Sequence, residues 1–498
     1  MVKNIVLCSD GTGSKGFQKR GTNVFKLYEA VDLHGHGIGP NSPKQVAFYD
    51  DGVGTENLKP LKILGGAFGY GLSRNVKQLY ANLVRTYEKG DRIYLFGFSR
   101  GAFTVRTLAG LINTCGIIKR EVEHDEKLLD KVEMAYSEYR SKYKPIYRRR
   151  PKKEISKKKA DDFRNQHCVG DETIKFIGVW DTVDAVGVPI DELAKFINTF
   201  IYRFKFTDSK LSPKEKVKKA CHALSIDDER LTFHPVMWDE KGEEDDRIEQ
   251  VWFAGVHSNV GGGYSKHGMS LVSLDWMMSK AEQAGLRFIK QDRELYRHRR
   301  NVTDKLYDSR SGVGVYYRYK PRDIGGDEFY KEYGISTPKI HNSVIERIKQ
   351  RTEGYAPGNI PFKCEFVPTD WNYENYDDFI KVFSNHHHTG KKSLLDRVKR
   401  WAIIRRKFHS AFLISSIIAF CTFMYIEVPE LGFFGTIGNL FTITGLIQIA
   451  KNLLAKPILS IIAVVIPVII TIVLFVIVRT LRKMMNRDFS EFWYKILK

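Results

Sequence analysis

Cysteine is scarce in this chain and scattered along it. The 498 residues include 6 cysteines, Cys8, Cys115, Cys168, Cys221, Cys364 and Cys421. None forms a CxxC pair or any other metal-ligand spacing. This usage argues against a disulfide framework and fits a reducing compartment. Acidic residues are also under-represented: 58 Asp and Glu face 79 Lys and Arg, a formal net charge of +21. An excess of this size points to an acidic partner, either anionic lipid or nucleic acid. The glycine turn Ser9-Asp10-Gly11-Thr12-Gly13 lacks the Gly-Lys-Ser/Thr ending of a nucleotide-binding loop, so nucleotide binding is not expected. The apolar stretch near Met1 is too short for a signal-peptide core and runs into that polar turn, so it reads as a first buried strand. No repeat of solenoid type is present. His386-His387-His388 is the one histidine cluster, but three consecutive side chains cannot all face one ion. It reads as solvated loop, and neither a metal nor an organic cofactor is expected.

The remaining pattern is that of an α/β protein. Short apolar segments at 4–8, 45–49, 93–96, 174–180 and 251–256 read as strands. Apolar positions at helical spacing over 73–88 and 102–112 read as helices between them. This alternation predicts a mostly parallel sheet with helices on both faces. Residues 140–165 interrupt it with the basic runs Arg148-Arg149-Arg150, Lys152-Lys153 and Lys157-Lys158-Lys159, expected as a surface insertion. Aromatic interleaving there is limited to Tyr143 and Tyr147, and no nucleic-acid-binding fold surrounds it. The insertion therefore reads as a solvated or lipid-facing loop, and nucleic acid is not an expected partner.

The C-terminal quarter differs in character. Residues 408–426 and 457–478 are apolar runs long enough to cross a hydrocarbon core of about 30 Å. Basic residues flank both: Arg397, Lys399, Arg400, Arg405, Arg406 and Lys407 before the first run, Arg479, Arg482, Lys483 and Arg487 after the second. The charge rule then predicts a helical hairpin with both basic flanks in the cytoplasm. The uncharged stretch 431–450 between the runs is expected as an interfacial or re-entrant segment, because a third span would strand the basic end outside. The expected plan is an α/β domain over 1–365, a basic linker over 366–407 and a membrane region over 408–498.

Gly97-Phe98-Ser99-Arg100-Gly101 matches the G-x-S-x-G nucleophile elbow, with a strand before it and a helix after it. Such a turn lifts a serine hydroxyl above the sheet next to a helix N-terminus, whose N–H groups and dipole suit a developing oxyanion. A serine nucleophile needs a base, and the base needs an acid to orient it. Asp181 directly follows the strand ending at Trp180, and His257 directly follows the strand ending at Val256. The chain order Ser, Asp, His is that of α/β hydrolases. Asp184 is the substitute acid, and His222, His234 and His341 are weaker alternatives for the base. The oxyanion donors expected are the Arg100 amide together with Gly11 or Thr12 from the turn after the first strand.

At these residues the chain resembles the predicted α/β hydrolases that include phospholipase effectors of bacterial type VI secretion. The resemblance runs through Ser9–Gly13, Tyr49–Thr55, Gly65–Gly69, Tyr94–Phe103, Gly178–Val183, His222–Asp227, His257–Tyr264 and Ile340–Val344. It implies a lipolytic esterase with Ser99, Asp181 and His257 as nucleophile, acid and base, acting on glycerophospholipid. One departure is Asn259, where the family usually has Asp; if that Asp orients the base or binds a cation, the site is altered here. The membrane hairpin is not implied by secreted effectors, and it favours action in the producing cell.

These readings converge on a serine lipase or phospholipase anchored in a membrane, that of the bacterial inner membrane with the α/β domain on the cytoplasmic side. Expected partners are membrane phospholipid as substrate, an anionic lipid surface and further copies of the chain as a homo-oligomer. A toxin or cell-defence role is a variant of this reading. Two others stay open: an esterase or thioesterase on a soluble substrate, and a membrane-disrupting or partner-binding protein whose α/β domain is a sensor.

Overall fold

The computed structural model describes residues 2–11, 21–35, 42–52, 67–120, 125–141, 143, 153–170, 172–183, 210–244, 246–324, 331–368, 381–383, 392–439, 442–455 and 457–496. Thr12, Gly13, the stretches 53–55 and 65–66, Asp184, most of the basic run at 144–152 and the triple histidine lie outside the described residues. The chain divides into two compact units. One is formed by residues 1–317 and 321–386, the other mainly by residues 387–496.

The first unit is built on an eight-stranded sheet. Its strands are β1 (Lys3–Ser9), β2 (Lys44–Asp50), β3 (Arg92–Phe98), β6 (Thr173–Trp180), β7 (Val217–Ser225), β8 (Ile248–Phe253), β9 (Lys339–His341) and β10 (Glu365–Val367). The two-residue strands β4 (Ile117–Ile118) and β5 (Cys168–Val169) form a separate antiparallel pair. The main sheet runs β10-β9-β8-β7-β6-β3-β1-β2, and every neighbouring pair is parallel.

Strand alternation builds a core on each face. Ile5, Leu7, Ile93, Leu95, Ile177 and Val179 point to one side, beneath helices Ala67–Thr86, Arg100–Cys115 and Asp125–Ser141. Val6, Cys8, Tyr94, Phe96, Phe176 and Trp180 point to the other, beneath helices Asn23–Ala30 and Gly268–Gln283. Strands buried on both faces read as continuous apolar runs, which is why β1, β3 and β6 are legible in sequence. β9 and β10 are three residues each and carry no such run.

The winding reverses between β1 and β3. From β1 the chain moves outward to β2, then returns to the other side of β1 and proceeds towards β10. The crevice at the carboxyl ends of β1 and β3 is therefore the switch point where such sheets bind ligands. Register sets what meets there. Ser9 pairs with Gly97, and Phe98 pairs with Trp180. The residues just beyond, Asp10–Gly11, Ser99 and Asp181, thus emerge side by side.

Two expectations change. Within the basic insertion, Lys153–His167 is a helix that buries Ala160 and Phe163, with the Arg164 guanidinium paired to the buried Glu172. The charge runs hid an apolar stripe that packs on helix Asp125–Ser141. The strand expected over 251–256 begins earlier and stops at Phe253. Gly255, at φ +115°, then turns the chain into the short helix His257–Gly261.

The second unit is helical. The first apolar run lies in one helix, Lys392–Asn439. The second lies in Pro457–Ser460, a π turn at Ile461–Val465 and helix Ile466–Ile496. Two stretches, Arg400–Tyr425 and Ile462–Ile496, are long and apolar enough to cross a membrane, with mean hydropathies of 1.6 and 3.0. They pack antiparallel. Trp401 Nε1 donates to Asp488 at 3.0 Å, the Phe412 and Phe475 rings meet at a tilt with centroids 5.9 Å apart, and Ser415 Oγ meets Thr471 Oγ1 at 2.8 Å. The π turn precedes Pro467, whose ring would clash with a regular preceding turn and which has no N–H to close it. The stretch 431–450 is not one segment. Its first part continues the long helix, and its second part begins helix Ile443–Ala455, capped by Thr442 Oγ1 accepting from the Gly445 amide at 3.1 Å.

The closest backbone approach in the sheet unit predicts a measurable cost. A Cβ on Gly101 would overlap the carbonyl oxygens of Ser9 and Asp10, which are fixed in and just beyond β1. Gly101→Ala is expected to lower the unfolding free energy by about 1–3 kcal/mol or more, read from denaturation midpoints of the purified chain.

Candidate active site

Ser99 sits where β3 ends and helix Arg100–Cys115 begins. Its backbone is held at φ 57°, ψ −122°, a conformation a side-chain-bearing residue adopts only under constraint. The constraint is tight packing on both flanks. A Cβ on Gly97 would strike the Gly101 carbonyl and the Ala102 backbone, so the helix can start directly against the strand only with glycine at both positions. The Ser99 amide donates to the Trp180 carbonyl at 3.0 Å, continuing the β3–β6 ladder one residue past the strand. Arg100 opens the helix, where the first-turn N–H groups point out along the axis.

The three residues expected from sequence are in hydrogen-bonding contact. His257 Nε2 lies 2.8 Å from Ser99 Oγ, and His257 Nδ1 lies 2.6 Å from Asp181 Oδ2. Since an ionised carboxylate only accepts, the network assigns the proton to Nδ1 and leaves Nε2 to accept from the serine hydroxyl. The His257 backbone amide also donates to Asp228 Oδ2 at 3.2 Å. The imidazole is held between the Phe98 ring, 4.6 Å away, and the Phe233 ring, edge-on at 5.1 Å. Ser99 and His257 are 6% and 5% exposed, so both functional groups work nearly out of water.

Asp181 is the most heavily engaged group. It is fully buried at φ 40°. The Ser225 amide and hydroxyl donate to its two oxygens at 3.0 and 3.2 Å. Arg322 adds a fork, with Nη1 to Oδ1 at 2.5 Å and Nη2 to Oδ2 at 2.8 Å. Burial alone would raise this carboxyl, but the Arg322 guanidinium and then the His257 ring outweigh it and hold it well below the usual carboxylate range. His257 is lowered by burial, which the Asp181 contact offsets only in part. Burial would likewise raise Asp228, but its salt bridge to Arg230, 2.7 Å, holds it low.

The oxyanion candidates differ. Gly11 lies against the elbow: a Cβ there would stand 3.3 Å from Ser99 Cβ. Its amide, however, donates to its own neighbour, Asp10 Oδ1, at 2.6 Å. The other Asp10 oxygen takes the hydroxyls of Thr22 and Tyr49, each at 2.5 Å, and burial pushes the Asp10 carboxyl up to about 6. Thr12 lies outside the described residues.

The alternative histidines have other partners. His222 Nε2 accepts from the Thr182 amide at 3.1 Å and Nδ1 faces Gln250 Oε1 at 3.3 Å; burial, then Arg106, pushes it down to about 3. His341 is stacked on Phe253 and bonded to Ser343 Oγ, and burial pushes it down to about 3. His234 closes the 3-10 turn Leu231–Phe233. Asn259, the departure from the family pattern, turns towards another loop. Its Nδ2 donates to the Lys305 carbonyl at 3.0 Å and its Oδ1 accepts from the Tyr307 amide at 3.2 Å. An aspartate could accept the second bond but could not donate the first. Among the described residues no group of three or more His, Cys, Asp and Glu is arranged to hold a metal.

Sequence reasoning missed Arg322, Ser225, Asp228 and Phe233. Ser225 ends β7 and Asp228 and Phe233 follow it within eight residues; the acidic pair Asp227-Asp228 after an apolar strand was a usable signal. Arg322 had none: it stands alone in a segment rich in Tyr, Arg and Gly.

A parallel sheet wound about a switch point, with a serine on a strained strand-to-helix turn, defines an α/β-hydrolase-like domain. The chain belongs to the Tle1-like family of type VI secretion phospholipase effectors, whose catalytic-domain model matches residues 3–280, more than half of its length. It is also 31% identical over 206 residues to the uncharacterized protein YEL023C of Saccharomyces cerevisiae, a match covering 38% of this chain and 28% of the yeast protein. The chain thus matches less than a third of that relative's length. A crystal structure of an uncharacterized protein from Pseudomonas aeruginosa aligns over 80% of this chain and 61% of its own, at 18% identity and a TM-score of 0.34. That likeness is too loose to carry an argument.

Removing the Asp181 charge should leave Arg322 buried without an anion. Asp181→Asn is expected to destabilise the fold by roughly 3–5 kcal/mol. Because the native carboxyl is held low, its contribution is complete above about pH 4 and is lost as the solution is acidified further. Denaturant midpoints of wild type and variant should therefore converge towards low pH; a constant gap across the range would contradict this account.

Proposed function

We propose that the protein is a membrane-associated serine phospholipase that hydrolyses acyl esters of glycerophospholipids. The observation that carries the reading is the unbroken chain of hydrogen bonds from Ser99 Oγ through His257 to Asp181, on an elbow whose strain holds the hydroxyl at the switch point. Family membership supports a phospholipase-type hydrolase. The two long apolar helices with basic flanks support a membrane setting.

Ser99 Oγ attacks the acyl carbonyl carbon while His257 Nε2 takes the hydroxyl proton. Asp181 keeps the imidazole in the required tautomer and stabilises the imidazolium that forms. The Arg100 amide, at the positive end of its helix, donates to the tetrahedral oxyanion; one such donor contributes about 10²–10³-fold in rate. The Gly11 amide can join only after Asp10 releases it. The intermediate collapses, and the lipid alkoxide leaves with the proton from His257. Water then attacks the acyl-enzyme with His257 as base, releasing fatty acid and restoring Ser99. The reaction as written needs no cofactor. Basic residues beside the helices attract anionic lipid at about 1 kcal/mol each near the surface, and tethering keeps substrate at high local concentration.

Ser99→Ala is expected to reduce fatty-acid release from phosphatidylcholine–phosphatidylglycerol vesicles at least about 10³-fold, measured by mass spectrometry of the products. Undiminished release would overturn the reading. Hydrolysis of monomeric short-chain esters with no gain on vesicles would move the substrate class to soluble esters.

A further inference from the structure

Arg322 comes from outside the segments that carry the family resemblance and from outside the matched residues 3–280. It is nevertheless among the largest fully buried side chains in the protein, at 2% exposure. A buried guanidinium is costly unless its donors are used, and four are. Two go to Asp181, one to the Ser225 carbonyl at 2.7 Å and one to the Phe233 carbonyl at 2.7 Å. The same fork therefore grips the carboxylate, the end of β7 and the turn whose Phe233 ring packs edge-on against the imidazole.

We propose that Arg322 is the positioning residue of the His257–Asp181 pair, fixing which carboxylate oxygen meets Nδ1 and offsetting the Asp181 charge so that His257 serves as a base at lower pH. The proposal rests on the reading of Ser99 and His257 as nucleophile and base. Geometry supports the first part. Both Asp181 oxygens are pinned by the planar fork; Oδ1 also takes the Ser225 amide, and Oδ2 takes the Ser225 hydroxyl and meets the ring. Electrostatics supports the second. A bare carboxylate beside an imidazole stabilises the imidazolium and ties up the base; a cation on the far side of that carboxylate weakens the pull.

The other groups around the pair and Arg322 come from three elements. Asp227, from the turn after β7, faces Arg322, accepts from the Gly255 amide and the Tyr355 hydroxyl, and is pushed up by burial to about 6. Asp228 and Arg230, from the turn after β7, form their own ion pair. His222, on β7, is bonded to the Thr182 amide. Ser99, on the elbow, is the proton donor to Nε2. Asp228 raises and Arg230 lowers the proton affinity of His257, so they oppose one another. Among the described residues, Arg322 is the cation paired directly with the Asp181 carboxylate.

The test is the rate of fluorophosphonate labelling of Ser99 in the full chain as a function of pH, which reads the serine–histidine pair whatever the natural ester. Arg322→Gln should lower the plateau rate at least about tenfold and move the acid limb up by about one pH unit or more, because the uncompensated carboxylate holds the proton on His257. Arg322→Lys keeps the charge without the fork. It should leave the acid limb within about half a unit of wild type while still slowing the plateau. A wild-type profile in a folded Arg322→Gln protein overturns the proposal. So does a slower plateau with an unmoved acid limb, which would mean a merely structural role. If circular dichroism shows that Arg322→Gln does not fold, Arg322→Lys decides: wild-type plateau and limb together overturn it. Labelling that survives in Ser99→Ala would instead overturn the nucleophile assignment.

Discussion

A carboxylate sits entirely out of water at the carboxyl edge of the sheet, and much of the site follows from keeping it charged. Asp181 would lose its proton with difficulty in that position if nothing answered the charge. The Ser225 amide and hydroxyl, the Arg322 fork and the His257 ring all answer it. Because these donors come from the end of β7, from the segment around residue 322 and from the short helix after β8, satisfying one charge also ties three segments together. The tautomer of the histidine, and hence the direction of its free nitrogen, is a consequence of that fixation.

Parallel register does the rest of the convergence. Strands of one sheet that end at the same level deliver their next residues to one place, and here those are Asp10–Gly11, Ser99 and Asp181. The position of the Ser99 hydroxyl then depends on close fits in the backbone. Gly97 and Gly101 allow the helix to begin against its strand, and the resulting strain at Ser99 is held by the core beneath it. The Ser99 elbow is built directly between a buried strand and a largely buried helix.

The helical unit follows a different rule, in which length and charge matter more than register. Its two long apolar stretches expose apolar side chains along most of their surface, as suits a lipid environment. Polar contacts between them include Ser415 with Thr471 and, near one end, Trp401 with Asp488.

Much of this was legible in the amino-acid sequence. Strands buried on both faces leave unbroken apolar runs, so β1, β3 and β6 could be read directly; β9 and β10, at three residues, could not. The elbow was visible because its two glycines are a local steric requirement, and the order of Ser99, Asp181 and His257 because each closely follows a strand. The helix at 153–167 was masked by its own lysines, since charge runs on an exposed face conceal a narrow buried stripe. What only the tertiary structure decided is which side chains from distant segments complete the carboxylate. No local pattern marks Arg322, because its role is set by a contact across 141 residues of chain. The sequence by itself determined the turn at Ser99 and the apolar layers around it, since those rest on neighbours within a few positions. The clamp on the acid, and the engagement of the Gly11 amide by Asp10, depend on where folded segments come to lie.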